Sequence, residues 1–229
     1  MTTQNQTTLS IGVIGLGAMG KGMANSLRRA GHHVSVCDVR YEAAEAFAQE
    51  GGTAHKTPAA LAQAADIIVS VVVNADQTEQ VLFGANGAAA HMKAGSLFIM
   101  CSTVDPNWSV ALEKRLNDMG LLYLDAPISG GAAKAASGQM TMMTSGQAAA
   151  YTKAGNALES MAAHVYKLGD RAGYGSKVKI INQLLAGVHI AAAAEAMALG
   201  LREGVAADAL YEVITNSAGN SWMFENRMA

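Results

Sequence analysis

Leu9-Ser-Ile-Gly-Val-Ile14 runs directly into Gly15-Leu16-Gly17-Ala18-Met19-Gly20, and the amphipathic stretch that follows leads to a second apolar run, His33 to Cys37, closed by Asp38. This order predicts strand, tight turn, helix, strand and acid, a βαβ unit built to hold a dinucleotide. The first N–H groups of the helix face a pyrophosphate, and the carboxylate faces the adenosine ribose. Gly15 permits the sharp turn, Gly17 lets backbone approach the pyrophosphate, and Gly20 brings the helix close to the sheet. Asp38 lies 18 residues beyond Gly20, near the expected spacing of about 20. Its charge repels a 2′-phosphate, which favours NAD over NADP. Arg40 has two readings, a partner for a 2′-phosphate or a solvated charge. The expected cofactor is NAD, held by Gly15, Leu16, Gly17, Ala18, Met19, Gly20 and Asp38.

Beyond this unit, β-rich runs alternate with helical segments as far as Asp125. Strands are expected at Ser10–Ile14, His33–Cys37, Ile67–Val73, Ser96–Met100 and Leu121–Asp125, with helices between them, notably Met19–Ala30 and Asn107–Met119. The alternation predicts an α/β fold with a doubly wound, Rossmann-type parallel sheet. Val73, Asn74, Ser102 and Thr103 fall at strand C-terminal ends, where such sheets bind ligands, and are candidate cofactor contacts. Asn74, Ser102 and Thr103 also suit plain helix capping.

Composition narrows the class of protein. The 229 residues are 51% hydrophobic and 15% charged, too apolar for disorder. A formal charge of −2 without a Lys/Arg run argues against a nucleic-acid partner. The polar N-terminus lacks a signal-peptide pattern, and no uninterrupted apolar stretch reaches the ~18 residues of a membrane span, so the expected location is cytoplasmic, without a membrane partner. Cys37 and Cys101 read as free thiols, and the histidines show no ligand spacing, so no metal is expected.

After Ala150 the pattern changes. Ser176 to Glu203 contains no proline and is dense in Ala, Leu and Met, which predicts one helix roughly 42 Å long. Its middle, Ala191 to Leu199, is apolar nearly all round, which implies protein cover on several sides and suggests a homodimer or homotetramer. A second helix is expected from Ala207 to Asn216. The glycines at Gly169 to Gly175 mark a boundary between a dinucleotide-binding domain, 1–170, and a smaller all-α domain, 171–229.

Two constellations carry possible chemistry. Asp125-Ala-Pro-Ile-Ser129-Gly130-Gly131 follows a strand, and its Ser-Gly-Gly turn offers N–H groups and a hydroxyl to a small carboxylate; it also reads as a plain glycine loop. In Gly173-Tyr-Gly-Ser-Lys-Val-Lys179-Ile-Ile-Asn182-Gln183, helical spacing puts Lys179, Asn182 and Gln183 on one face among apolar neighbours. Polar groups there need partners, and a substrate would provide them. A snorkelling surface lysine is the alternative for Lys179, and the expected role of Lys177.

The three motifs, Gly15 to Gly20, Asp125 to Gly131 and Gly-x-Gly-x-x-x-Lys at 173 to 179, together resemble the 3-hydroxyisobutyrate dehydrogenase family of β-hydroxyacid dehydrogenases. The stretches Gln183 to Leu199 and Ala218 to Arg227 are most similar to its L-threonate dehydrogenase branch, which oxidises a four-carbon sugar acid. The resemblance implies an NAD-dependent oxidoreductase. Lys179 corresponds to the catalytic lysine, Ser129, Gly130 and Gly131 to the carboxylate-binding turn, Asn182 and Gln183 to substrate-binding positions, and Thr103 to a neighbour of the nicotinamide. Asn182 is the hydroxyisobutyrate-like residue where the threonate branch usually has His. The resemblance also implies a longer helical domain with a second Lys-Asp segment, beyond the residues present. Alternative readings are a 3-hydroxyisobutyrate dehydrogenase, a small semialdehyde reductase, and a catalytically silent dinucleotide-binding protein.

Overall fold

The computed structural model describes residues 8–228. Two compact units divide it, Met1–Lys179 and Ile180–Ala229.

In the first unit, the elements run in sequence as β1 (Ser10–Ile14), α1 (Gly20–Arg29), β2 (His33–Cys37), α2 (Tyr41–Gln49), β3 (Thr53–Ala54), α3 (Pro58–Ala64), β4 (Ile67–Ser70), α4 (Ala75–Phe83), β5 (Leu97–Met100), α5 (Pro106–Asp118) and β6 (Leu122–Asp125). The strands form a six-stranded parallel sheet in the order β3-β2-β1-β4-β5-β6. Strand order reverses between β1 and β4, and the crevice beyond their C-terminal ends is the ligand position of a Rossmann sheet. The sheet is covered on both sides, so its strands are apolar throughout rather than alternating with polar residues. Side-chain alternation then deals neighbours to opposite cores. Ile67, Val69, Leu97 and Ile99 join Met23 and Leu27 of α1 on one face. Ile68, Phe98 and Met100 join Leu61 of α3 and Leu116 of α5 on the other.

β4 stops at Ser70, short of the expected Val73. Ser70 already pairs with the last residues of both neighbours, Ile14 and Met100. Val71 to Val73 therefore leave the ladder and form the loop beside the dinucleotide turn.

The chain next folds into β7 (Ile128–Ser129), α6 (Gly131–Ser137), β8 (Met140–Thr144), α7 (Ala148–Ala154), α8 (Ala157–Met161) and β9 (Ala162–Lys167). β7, β8 and β9 make a second, three-stranded sheet that the sequence reading does not anticipate. Ser129 pairs with Thr141 across it. α6 packs on α1 at backbone distance, since a Cβ on Gly22 would lie 2.6 Å from the Ala135 carbonyl carbon.

The long helix α9 (Tyr174–Arg202) matches its expectation closely, and α10 (Ala207–Thr215) and α11 (Trp222–Arg227) follow it. In the second unit Phe224 is buried and stacks on Tyr211 at 5.8 Å. Among the described residues of the second unit the expected cover on α9 is not present. Ile181, Leu184, Leu185 and Val188 are exposed, because α10 and α11 are too short to cover every side of so apolar a helix. α9 is also long and apolar enough to cross a membrane, by length and composition alone.

Phe98, fully buried at the centre of β5, tests the core. Phe98→Ala is expected to cost about 3–5 kcal/mol of unfolding free energy, read as a lower urea midpoint.

Candidate active site

The turn from Gly15 to Gly20 sits at the switch point, and its glycines serve three different needs. Gly15 has φ +93° and lies against the Val71 carbonyl, so only glycine fits the turn. A Cβ on Gly20 would overlap the Gly15 carbonyl oxygen. Gly17 differs from both, because among the described residues no atom beyond its own chain neighbours lies within 4 Å of where its Cβ would be. The protein leaves that space open, which suits the approach of a pyrophosphate. α1 begins after Met19 without a side-chain cap, so its first N–H groups are not taken by a capping side chain. These features fit a bound dinucleotide.

Asp38 is wired into the same turn. Its carboxylate accepts from Leu16 N–H at 2.6 Å and from Arg40 N–H at 2.8 Å. The Arg40 guanidinium lies 3.7 Å from Asp38 and is largely exposed. This placement fits both of its readings.

The strand-end residues divide by role. Asn74 caps α4, its side-chain oxygen accepting from Gln77 N–H at 2.9 Å. The Ser102 hydroxyl is buried, donates to the Val72 carbonyl at 2.8 Å and lies 3.1 Å from Thr78 Oγ1. Its hydroxyl is thus used within the protein, bracing one strand-end loop against the next. Val73 and Thr103 are exposed on those loops.

The second constellation is drawn together around β7. Gly130 and Gly131 both have positive φ, +138° and +76°, so the turn after Ser129 cannot be made with side chains. Lys179, only 7% exposed, donates from Nζ to the Ile128 carbonyl at 2.8 Å. The amine is therefore fixed one residue from the Ser-Gly-Gly turn rather than snorkelling to solvent. Burial lowers its pKa from the usual lysine value. Lys177 takes the exposed role, 5.0 Å over the Tyr174 ring. Asn182 and Gln183 belong to the second unit and follow Lys179 along α9 at i+3 and i+4. Among the described residues no cluster of His, Cys, Asp or Glu could hold a metal.

One group escaped the sequence reading. The Asp125 carboxylate, fully buried, accepts from Gly173 N–H and Ser176 N–H, both at 2.9 Å, from Ser176 Oγ at 2.7 Å and from Ser145 Oγ at 3.3 Å. Burial raises its pKa, against the pull of these hydrogen bonds. A sequence signal was available, since an acid closing a buried strand needs several donors.

A Rossmann sheet with an uncapped, glycine-bounded turn and a buried lysine beside a Ser-Gly-Gly turn defines a nicotinamide-dependent dehydrogenase. Comparison with known proteins agrees. Residues 10–169 match the family model for the NAD binding domain of 6-phosphogluconate dehydrogenase, and residues 173–229 match that for the NAD-binding of NADP-dependent 3-hydroxyisobutyrate dehydrogenase. The chain is 64% identical to the L-threonate dehydrogenase of Cupriavidus necator over 96% of its own length and 74% of that protein. It is 47% identical to the L-threonate dehydrogenase of Escherichia coli K12 over 95% and 72%. A crystal structure of 3-hydroxyisobutyrate dehydrogenase from Salmonella typhimurium superposes with a TM-score of 0.91 at 48% identity, covering 95% of this chain and 76% of that one. The chain belongs to the 3-hydroxyisobutyrate dehydrogenase family, in its L-threonate dehydrogenase branch.

The open space beside Gly17 gives a direct test. Gly17→Ala should leave the melting temperature unchanged while raising the Kd for NADH about tenfold, or ~1.4 kcal/mol, measured by fluorescence titration.

Proposed function

We propose that this chain oxidises L-threonate with NAD, using Lys179 as the proton acceptor. The observation that carries the reading is the buried Lys179 amine held at the Ile128 carbonyl, one residue from the Ser129-Gly130-Gly131 turn. The 64% identity to an L-threonate dehydrogenase supports the substrate.

On this reading the dinucleotide is held by Gly15, Leu16, Gly17, Ala18, Met19 and Gly20, with Asp38 receiving the ribose hydroxyls and Val73, Asn74, Ser102 and Thr103 lining the nicotinamide side. When bound, the nicotinamide takes up the hydride. The chain's own residues manage the rest of the chemistry. Ser129 Oγ and the N–H groups of Gly130 and Gly131 hold the substrate carboxylate. Asn182 and Gln183 bind its hydroxyls. Lys179 Nζ, in its neutral form, takes the proton from the reacting hydroxyl as the carbonyl forms, and returns it when the reaction runs in reverse. An amine at the ordinary lysine pKa of about 10.4 would be mostly protonated at neutral pH, and desolvation moves it toward the range of a working base.

The negative charge of Asp38 at the ribose position supports NAD over NADP. The exposed apolar residues of α9 support a homodimer or homotetramer in which a further protein surface covers that helix. The formal charge of −2 without a Lys/Arg run supports a protein without a nucleic-acid partner, and its likeness to metabolic dehydrogenases supports a cytoplasmic one without a membrane partner. Asn182 favours a second reading, oxidation of 3-hydroxyisobutyrate.

Initial rates of NADH formation with L-threonate and with 3-hydroxyisobutyrate separate these readings, and turnover of L-threonate is expected to dominate. Lys179→Ala should abolish that turnover and keep NADH binding; turnover at the native rate in this variant would refute the lysine's role. Because the amine must be neutral to accept a proton, kcat/KM for oxidation should rise with pH through a limb below 10.5, the usual lysine value, and the reverse reduction should fall through the same limb. Asp38→Ala is expected to weaken NADH binding by about tenfold and to narrow the preference over NADPH, compared by titrating both.

A further inference from the structure

The first turn of α9 and the two residues before it are gripped from outside the helix. Ala172 N–H donates to both carboxylate oxygens of Glu113, each at 3.1 Å, and Gly175 N–H donates to Ser145 Oγ at 2.9 Å. Gly173 N–H, Ser176 N–H and Ser176 Oγ all end on Asp125. The first N–H groups of a helix have no partner within the helix, and here Asp125 of β6 and Ser145 supply partners for Ser176 and Gly175, while Glu113 of α5 holds Ala172 just before them. The approach is tight, because a Cβ on Gly175 would lie 3.0 Å from the Asp125 carbonyl oxygen.

A ring closes through these contacts. From the Asp125 carboxylate it passes to Ser176, runs along α9 by i+3 to Lys179, crosses the 2.8 Å bond from Nζ to the Ile128 carbonyl, and returns through Pro127 and Ala126 to Asp125. The main chain that carries the acid also carries the Ser129 turn. Sliding or tilting the first turn of α9 would withdraw the lysine amine from that turn.

We propose that Asp125 is a positioning residue for Lys179. Its carboxylate fixes the first turn of α9 in register with the strand-end segment, so that the amine stays buried at the Ile128 carbonyl. The catalytic consequence rests on the reading of Lys179 as proton acceptor; the positional consequence does not. Ser176 is the second member of the device, since it gives Asp125 both its N–H and its hydroxyl.

The test combines a measure of position with a measure of turnover in Asp125→Asn and in Ser176→Ala, the milder change. Labelling of lysine amines by an acylating reagent, read for each lysine by peptide mass spectrometry, reports how far Lys179 Nζ is buried. In both variants Lys179 is expected to label faster than in the native protein, about tenfold faster in Asp125→Asn, with the exposed Lys93 and Lys114 unchanged. With L-threonate and NAD, kcat should fall about 100-fold in Asp125→Asn and by less in Ser176→Ala, while the Kd for NADH holds. Should Asp125→Asn fail to fold, Ser176→Ala alone decides. Unchanged Lys179 labelling in a folded variant would overturn the proposal, as would a loss of kcat without a change in labelling. Native turnover in Lys179→Ala, with Lys179 still unmasked in Asp125→Asn, would instead overturn the role of the lysine and leave Asp125 as the residue that sets its position.

Discussion

The buried carboxylate of Asp125 is the constraint on which the arrangement turns. A charge-bearing group without water must be surrounded by donors, and every donor found around it belongs either to Ser145 or to the start of α9. The favourable field at a helix N-terminus adds to those bonds. Glu113 has the same logic, buried at the end of a bidentate contact with the Ala172 amide, its pKa raised by burial. Two acids on neighbouring elements thus determine where a 29-residue helix begins.

The dinucleotide half was legible in the sequence because each of its signals is local. Ser10–Ile14 and His33–Cys37 have the bounds that apolar runs between glycine and acid imply. α5 follows Asp105, whose carboxylate accepts from Asn107 and Trp108 N–H, and Pro106 in its first turn. The second sheet was not legible. Met140–Thr144 has three methionines among its five residues, a weak strand signal, and its partner Ala162–Lys167 arrives only after two short helices. Nothing local marks strands whose stability comes from long-range pairing.

The candidate site shows the same division. Helical spacing placed Lys179 with Asn182 and Gln183, yet it did not show that the amine would be held by a carbonyl three residues past Asp125. In sequence Asp125 is only the head of a motif, since an acid at a strand end is ambiguous until its donors are known. Asn74 and Ser102 are open, in sequence, between ligand contact and helix capping. Their hydrogen bonds show capping for the one and bracing for the other, while both keep their places on the loops at the crevice.

The contact between α1 and α6 has a consequence for how the protein can change over time. α1 starts at the dinucleotide turn and α6 starts at the Ser-Gly-Gly turn, and the two helices meet with Gly22 against the Ala135 backbone. Contacts of this closeness transmit displacement rather than absorb it. The two turns therefore share one datum, and neither can drift without carrying the other. Side chains around either turn can be exchanged in the course of descent, while the spacing between the two turns stays as the backbone contact sets it.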